Sequence, residues 1–470
     1  MSSEISDSDL ELIKLGKSLG LNLVSFSKLR ESQENKFADE VRSQALEKME
    51  KNKDNLLIRS DSFYAGSIDF MISEEPEGKK YFLLETNGGS HRGISILTKK
   101  QQSMLFDGYL IAINQAIKRK KNEKKIFVLI GITVDDRLIH EKVIMIEYFR
   151  KKLKTNGYSV KIFNTGNYDK DYKAEIVFLI ADYGHLSKNL SFHENWIKYK
   201  GEEVNVVIGD GIVRRFNDID FTKLIKNNFR EIKSIIVNPI FKITDDKSLT
   251  YLMSFLNKFS LKKYNLKFPI FTRAFNEKDL EEKLKYLIKK FKKTLIIKPS
   301  GGSGGAGVIP IYSGEKDRNI KILVEKSKKE FFSKFIENRD PFPYTIQEMC
   351  DFSLIDWQGG KRTFDLRIYL AQREGKVVPV GGLARIAREE IINKKNPKKE
   401  EFVVNLSGYN DLIEVDRGLG FSFENCRLLK LLKVGFIDMF CIGCTFFANI
   451  EKYYEKVINY SEWENLFTMK

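Results

Sequence analysis

The chain of 470 residues carries 80 lysines and arginines against 64 aspartates and glutamates, a formal charge of +16. Such a length calls for two or three structural units, and four cysteines spread over it exclude a disulfide scaffold and suit a reducing cytosol. The positive balance favours anionic partners such as nucleotides, acidic metabolites, nucleic acid or a membrane surface, although lysine scattered through amphipathic segments also gives a solvated surface.

The first residues, MSSEISDSDLELIK, are acidic where a secretory signal would be basic and then apolar, so a cytoplasmic location is expected. Residues 1–55 read as a helical segment with charged faces. In the next stretch, 56–120, residues 68–72 and 81–86 form two strands joined by a polar turn containing Pro76 and Gly78. That hairpin would align Asp69 with Glu85, and Asn87 shares the side of Glu85 because strand side chains alternate with period two. Two carboxylates and an amide oxygen at a strand end form an oxygen-only site suited to magnesium between nucleotide phosphates; an ordinary surface hairpin is the competing reading. Arg92 follows just after Gly88 and Gly89 and would meet an anion there. A helix is predicted over 94–117, with Leu97, Leu105, Tyr109, Ile113 and Ile117 on one face.

The basic run KRKKNEKK at 118–125 lacks interleaved aromatics and reads as a solvated linker, not a nucleic-acid patch. Over 125–235 short apolar strands at 126–132, 158–163, 175–181 and 204–209, with a helix near 137–154, predict a small parallel-sheet α/β unit. It has no GxGxxG turn, so a dinucleotide site is not supported. His185 and His193 read as structural or surface histidines.

From 236 to 410 the pattern changes again. Lys247 precedes an amphipathic helix. LIIKPSGGSGGAGVIPIY at 295–312 puts Lys298 at the end of a strand and follows it with Ser300, Gly301, Gly302, Ser303, Gly304, Gly305 and Gly307 before a returning strand. Without Cβ atoms such a loop brings backbone N–H groups against phosphate oxygens, and the lysine adds a point charge; a flexible hairpin tip is the alternative. No Gly-Lys-Ser/Thr follows, so it is not a Walker loop. Gln347, Glu348, Met349 and Cys350 end a strand able to offer backbone groups to a flat heterocycle. RTFDLRIYLAQREGKVVPVGGLARIA reads as two long strands, with Asp365 and Arg367 on one face and Arg385 on the second strand. Buried arginines are costly unless they meet anions, so phosphate or carboxylate recognition is expected, with surface salt bridging as the alternative. FVVNLSGY, read as ending in a strand, adds Asn405. In the C-terminal helical segment, 411–470, residues 434–450 are apolar but short for a membrane span and contain Asp438, so a buried helix is expected. Cys441 and Cys444 form one CxxC with no second pair or nearby histidine, which gives no metal or redox site.

Taken in order, Lys247 before a helix, IIKPSGGSGGAGV, TIQEMC, FDLR, and GGLARIA followed by VVNLSGY resemble the ATP-grasp superfamily of ATP-dependent carboxylate ligases. The family's last motif, an Asp strand followed by Glu-x-Asn, is missing after Asn405 and stands near the N-terminus as IDFMI and LLETNGG. This is similar to the circularly permuted branch that includes eukaryotic-type glutathione synthetase and glutathionylspermidine synthase. The resemblance covers 56–110 and 235–410. It implies a mixed α/β and α+β ATP-grasp fold, circularly permuted, with an inserted Rossmann-like parallel-sheet domain.

Residue by residue, it implies that Lys247 and Lys298 contact ATP phosphates, that residues 300–307 close over them, and that Gln347, Glu348, Met349 and Cys350 hold adenine. Asp69, Glu85 and Asn87 would ligate Mg2+. Arg385 would stabilise the transferred phosphoryl group, and Arg367 would assist it or hold the substrate carboxylate. Ser67 stands where many relatives have an arginine, so charge there would come from Arg59, Arg92 or Arg385; if RSD at 59–61 is the true counterpart, Asp61 replaces Asp69. Asn405 is a further substrate-side candidate. The implied reaction joins a small carboxylate to an amine, drawn from amino acids, peptides or polyamines, through an acyl phosphate. Neither nucleic acid nor membrane is an expected partner, and a homodimer is compatible. An ATP-grasp kinase, or a basic nucleic-acid-binding protein without catalysis, are the alternatives.

Overall fold

The computed structural model of the chain describes residues 28–59, 61–88, 93–119, 125–132, 139–169, 171–209, 231–241, 246–302, 304–334, 340–406 and 417–458. The expected sites at Arg92 and Ser303, and the middle of the basic run at 118–125, lie outside the described residues. Helix α1 (Lys28–Lys51) leads to strands β1 (Ala65–Glu75) and β2 (Gly78–Asn87), which pair antiparallel. A 3-10 turn at Ile94–Ile96 then precedes α2 (Lys99–Arg119). The helix starts later than the apolar pattern predicts because the Thr98 side chain accepts a hydrogen bond from Gln101 N at 3.2 Å, capping it there.

The expected parallel unit follows: β3 (Ile126–Ile132), α3 (Ile139–Thr155), β4 (Val160–Asn164), β5 (Ile176–Asp182) and α4 (Tyr183–Asn189). An antiparallel meander, β6 (Leu190–His193), β7 (Trp196–Tyr199) and β8 (Glu202–Glu203), interrupts it before β9 (Val206–Ile208) and β10 (Ile235–Ile236). The sheet order is β10-β9-β3-β5-β4, and every pair in it is parallel. β3 and β5 read as unbroken apolar runs because both faces of the sheet are covered. His185 Nε2 lies 2.8 Å from the buried Tyr199 hydroxyl, and His193 is exposed beside Glu194.

Next come α5 (Lys247–Leu256), α6 (Lys258–Leu261), β11 (Leu266–Lys267), β12 (Phe271–Ala274), α7 (Glu277–Phe291), β13 (Leu295–Lys298), β14 (Ile309–Ile311), α8 (Asp317–Lys334) and β15 (Tyr344–Glu348). Strands β12-β15-β13-β14 form an antiparallel sheet covered by α7 and α8 through Leu280, Leu284, Ile320 and Val324. The chain ends with β16 (Leu354–Trp357), β17 (Gly360–Arg373), β18 (Lys376–Ile386), α9 (Lys399–Phe402), β19 (Gly418–Gly420), α10 (Phe423–Leu428) and α11 (Lys433–Ile458). Of the stretch FVVNLSGY, expected to end in a strand, Phe402 closes α9 and residues 403–406 are irregular, while its end, 407–409, lies outside the described residues. Glu401 reaches back to accept from Lys398 N at 3.0 Å and fixes a helical turn, leaving Asn405 in irregular chain.

The large sheet has the order β11-β2-β1-β17-β18-β19, with β16 beside β17. The N-terminal hairpin is therefore hydrogen-bonded directly to a strand almost three hundred residues later, Asp69 opposite Arg367. On one face Ile68, Phe70, Ile72, Leu366, Ile368 and Leu370 pack into a core with α1 and α11. Among the described residues one helix, Lys433–Tyr453, is long and apolar enough to cross a membrane, but its most apolar window is 83% buried, its surface used against this sheet. On the opposite face α2 fits between the large sheet and the parallel sheet, sharing a core with Tyr64, Ala65, Val128 and Phe178.

Two glycines permit this sandwich. A Cβ at Gly443 of α11 would stand 2.8 Å from Leu370 Cδ1, and one at Gly108 of α2 would stand 2.5 Å from the Tyr64 carbonyl oxygen. The second contact is with backbone and has no flexible partner to yield. Gly108→Ala is expected to cost about 1–3 kcal/mol, seen as a lower midpoint in thermal or urea unfolding; an unchanged midpoint would show that α2 shifts freely on the sheet.

Candidate functional site

The charged face of the large sheet is set by one irregularity. Met71 opposes Phe82, but Asp69 opposes Glu85, so Leu84 is an extra residue in β2. Without this bulge, alternation from Phe82 would send Thr86, not Glu85, to that face; with it, Glu85 and Asn87 stand on the same side as Asp69. The hairpin thus aligns the three residues as the spacing predicts, by a device the spacing does not reveal.

Beside them lies a buried quartet across β1, β17 and β18. Arg367 grips Asp69 with two parallel bonds, Nε to Oδ1 at 2.7 Å and Nη2 to Oδ2 at 2.6 Å. Arg385 grips Asp365 in the same way, at 2.7 and 2.5 Å, and its Nη2 also donates to Asp69 Oδ2 at 2.8 Å. Burial alone would raise the Asp69 pKa, yet the two guanidiniums hold it down to about 2. For Asp365 burial wins over Arg385, and its pKa rises to about 6. Both arginines are raised: burial opposes their charge, but the facing carboxylates outweigh it. Two cations and two anions buried together leave no net charge, which is how so many ionised groups stay inside.

Across a cleft from this quartet stand the lysines. Lys298 ends β13, only 8% exposed, and its ammonium donates to the Tyr251 hydroxyl at 3.2 Å. Desolvation lowers its pKa to about 7, and the Lys247 charge adds to the effect against the opposing Glu85. Lys247 is the first residue of α5, where the helix dipole disfavours a cation. Its Nζ is held by the Gly302 carbonyl at 2.9 Å and lies 3.7 Å from Glu85 Oε2. The Glu85 side chain is 38% exposed, so its carboxylate faces open cleft as well as the lysine.

The glycine loop between β13 and β14 is tightly seated. Gly305 has φ +76°, and a Cβ there would meet Val403 Cγ1 at 2.6 Å; Gly307 has φ +72°, with the Ser327 carbonyl 3.0 Å from such a Cβ. Glycine is required at both places by backbone sign and by space. A Cβ at Gly304 would lie 3.4 Å from Asn405 Nδ2, so Asn405 stands against the loop. Gly301 also has positive φ, and Ser300 N donates to Pro341 O at 2.8 Å, anchoring the loop's start.

Strand β15 runs between β12 and β13, placing Gln347 opposite Ile296 and Glu348 opposite Leu295. Gln347 Oε1 accepts from Tyr251. The Glu348 carboxylate is occupied by Lys267, at 3.2 Å, and by Lys293, and its N–H donates to the Ile270 carbonyl at 2.8 Å. Met349 N bonds Thr294 O at 2.9 Å, and burial pushes the Cys350 thiol up to about 12, keeping it a neutral apolar wall. Met71 and Phe82 of the hairpin join Tyr251, Ile296 and Cys350 in one apolar cluster that floors the cleft between the two sheets.

Two candidates are not brought here. Arg59 is half exposed and pairs with Asp61 at 3.6 Å and Glu451 at 3.4 Å, while its carbonyl accepts from Gln372 near the far end of β17. Both Arg59 and Asp61 therefore sit away from the Arg367–Asp69 pair, tied instead to α11. Tyr251 and the paired role of Asp365 were not singled out from the sequence. Tyr251 falls one helical turn after Lys247, a spacing that puts both on one face of α5.

The residues fit a nucleotide triphosphate: a buried ammonium with no carboxylate in salt-bridge contact among the described residues, a second lysine and a glycine-lined loop meet at one point. Among the described residues no group of three or more His, Cys, Asp or Glu side chains is placed to hold a metal by itself. Glu85 and the Asn87 oxygen are two hard donors next to the lysines, and Asn87 Nδ2 turns toward Asp69 at 3.4 Å. A pair of protein oxygens completed by phosphate oxygens and water is the usual way magnesium enters with a nucleotide.

Residues 267–404, which include Lys298, the glycine loop, Gln347, Arg367 and Arg385, match the family model described as YheC/D-like ATP-grasp. No curated protein matches the chain. Among solved structures it is similar to a glutathione synthetase-like effector from Globodera pallida, at 11% identity over 82% of this chain and 86% of that one, with a TM-score of 0.40. A putative gamma-glutamylcysteine synthetase from Methylobacillus flagellatus matches at 11% identity over 96% and 98%, TM-score 0.41. D-alanyl-alanine synthetase A from Vibrio cholerae matches at 10% identity over 57% and 68%, TM-score 0.32. Those scores carry no weight; the family match alone shows an ATP-grasp region, YheC/D-like, over residues 267–404, of a superfamily whose enzymes are in general ATP-dependent carboxylate–amine ligases.

Proposed function

We propose that the chain joins a small-molecule carboxylate to an amine at the expense of ATP, and that it is a circularly permuted ATP-grasp enzyme. In this reading the N-terminal hairpin supplies the metal-binding half of a nucleotide site whose phosphate-binding half lies over two hundred residues later. The observation that carries it is the approach of Glu85 to Lys247, 3.7 Å, with Lys247 already bonded to Gly302 of the loop.

The substrate carboxylate oxygen attacks the γ-phosphorus, the bond to the bridging oxygen breaks, and ADP leaves with its electron pair. The amine nitrogen then attacks the acyl carbon, phosphate departs, and the amine proton passes to phosphate or solvent. Lys247 and Lys298 hold the transferring end of the nucleotide, and the seated loop keeps water from the acyl phosphate. Arg385 and Arg367 lie where charge develops; a phosphoryl oxygen or substrate carboxylate would take over donors now given to Asp69. Magnesium bound with the nucleotide would rest on Glu85 and Asn87 and offset triphosphate charge. No side chain need form a covalent intermediate.

The deciding assay is ADP release screened against amino acids, short peptides and polyamines in pairs. With a productive pair, an 18O-labelled carboxylate should deliver its label to inorganic phosphate; a stable phosphorylated product without amide would make the protein a kinase instead.

Glu85→Gln should leave a folded protein that still binds nucleotide but turns over at least a hundredfold more slowly, since an amide removes charge that offsets the triphosphate. Full activity of that variant at limiting magnesium would contradict the permuted site.

Lys298→Met should weaken ATP binding in calorimetry while raising the melting temperature, because it removes a buried ammonium whose charge is not fully compensated. The folded pKa, about 7, lies below the ordinary 10.5, so the native state carries the full penalty below about pH 7 and loses it as pH rises toward 10.5. The gain in melting temperature from Lys298→Met should accordingly be larger at pH 6 than at pH 9; an equal gain at both would place the ammonium in solvent.

A further inference from the structure

The Tyr251 hydroxyl has one hydrogen and two acceptors competing for it, Gln347 Oε1 and the Leu84 carbonyl at 3.2 Å. Its lone pairs are thereby left for a donor, and the donor present is Lys298 Nζ at 3.2 Å. The ring is fixed independently of the hydroxyl. It is 2% exposed and packs against Phe271 at 5.6 Å and Phe82 at 6.5 Å between centroids. Burial, reinforced by the nearby Glu85 charge, raises the phenol pKa well above its ordinary value, so the group stays a hydroxyl.

We propose that Tyr251 is a positioning residue that aims the Lys298 ammonium at the nucleotide phosphates, its own hydroxyl being oriented by Gln347 and by the carbonyl of the bulged residue Leu84. The assignment rests on the nucleotide site described above. A lysine on four rotatable bonds reaches many points. A dipole with its hydrogen already spent elsewhere selects one of them, and it neutralises no charge that the phosphates need. The same hydroxyl contacts the hairpin, the strand next to the expected base and the phosphate lysine, so the lysine is set relative to both halves of the site. Tyr251 itself touches no reacting atom in this arrangement.

Tyr251→Phe deletes the hydroxyl and keeps the ring, so the fold should persist, and its melting temperature serves as the check. Magnesium-ATP affinity is measured by calorimetry for wild type, Tyr251→Phe, Lys298→Met and the double variant, with adenosine as a phosphate-free probe. The expected result is a roughly tenfold loss of ATP affinity in Tyr251→Phe, the scale of one hydrogen bond to a charged group. Adenosine binding should stay within about twofold, and the Lys298→Met background should show almost no further ATP loss on adding the tyrosine change. An equal loss in both backgrounds, or an equal loss for adenosine, would make Tyr251 a merely structural residue and overturn the proposal, as would unchanged ATP affinity. If Lys298→Met itself leaves ATP binding intact, the nucleotide-site reading fails, and the role of Tyr251 falls with it. If Tyr251→Phe melts early, the four affinities are taken at a temperature where all variants are folded, and the same comparisons decide.

Discussion

The rest of the structure depends on the buried exchange of four charges between Asp69, Arg367, Arg385 and Asp365. It spans β1, β17 and β18, and so joins a hairpin near one end of the sequence to strands near the other. Removing one member of such a group leaves an uncompensated buried charge, a cost of roughly 3–5 kcal/mol. The quartet therefore constrains register as well as charge. With Asp69 opposite Arg367, a slip of one residue between β1 and β17 would turn the carboxylate to the apolar face occupied by α11. Everything that faces the cleft, Glu85 and Asn87 included, takes its place from that alignment.

The cleft has an asymmetric electrostatic design. On the large sheet the cations are already matched by Asp69 and Asp365. On the small sheet Lys298 is buried with no carboxylate in salt-bridge contact among the described residues, and beside it Lys247 sits at the positive end of α5. Both lysines are placed at an energetic disadvantage, which a polyanionic ligand would relieve. Glu85, approaching from the hairpin, tempers this charge without cancelling it. The apolar floor of Met71, Phe82, Tyr251, Ile296 and Cys350 holds the two sheets together beneath these groups and keeps their interactions in a low-dielectric setting.

Much of this was legible in the residues. The hairpin read from IDFMI and LLETN predicted the alignment of Asp69 with Glu85, alternation put Asn87 on the side of Glu85, and IFVLIGI and EIVFLIA marked buried parallel strands by their unbroken apolar runs. The glycines after Lys298 marked a loop whose backbone needs positive φ. What stayed hidden depends on contacts across the chain. The Leu84 bulge changes which face Glu85 occupies, and nothing in LLETN marks it. Tyr251 has meaning only once β13, β15 and β2 converge on its hydroxyl. Arg59 looked like a cleft residue from RSD, but Glu451, nearly four hundred residues away, draws it to α11. FVVNLSGY has strand-forming valines, yet the acidic residues before it cap a short helix. Propensity and spacing are local, and these outcomes were set by tertiary partners.

The central claim is that the N-terminal hairpin and the glycine-loop lobe form two halves of one nucleotide site. A crystal structure with magnesium and a non-hydrolysable ATP analogue tests it most directly. The account predicts the triphosphate against Lys247 and Lys298, with a metal ion whose oxygen ligands include Glu85 and Asn87 at the short distances magnesium requires, about 2.1 Å. A nucleotide bound elsewhere, or one bound at the glycine loop with Glu85 and Asn87 turned away from its metal, would contradict it.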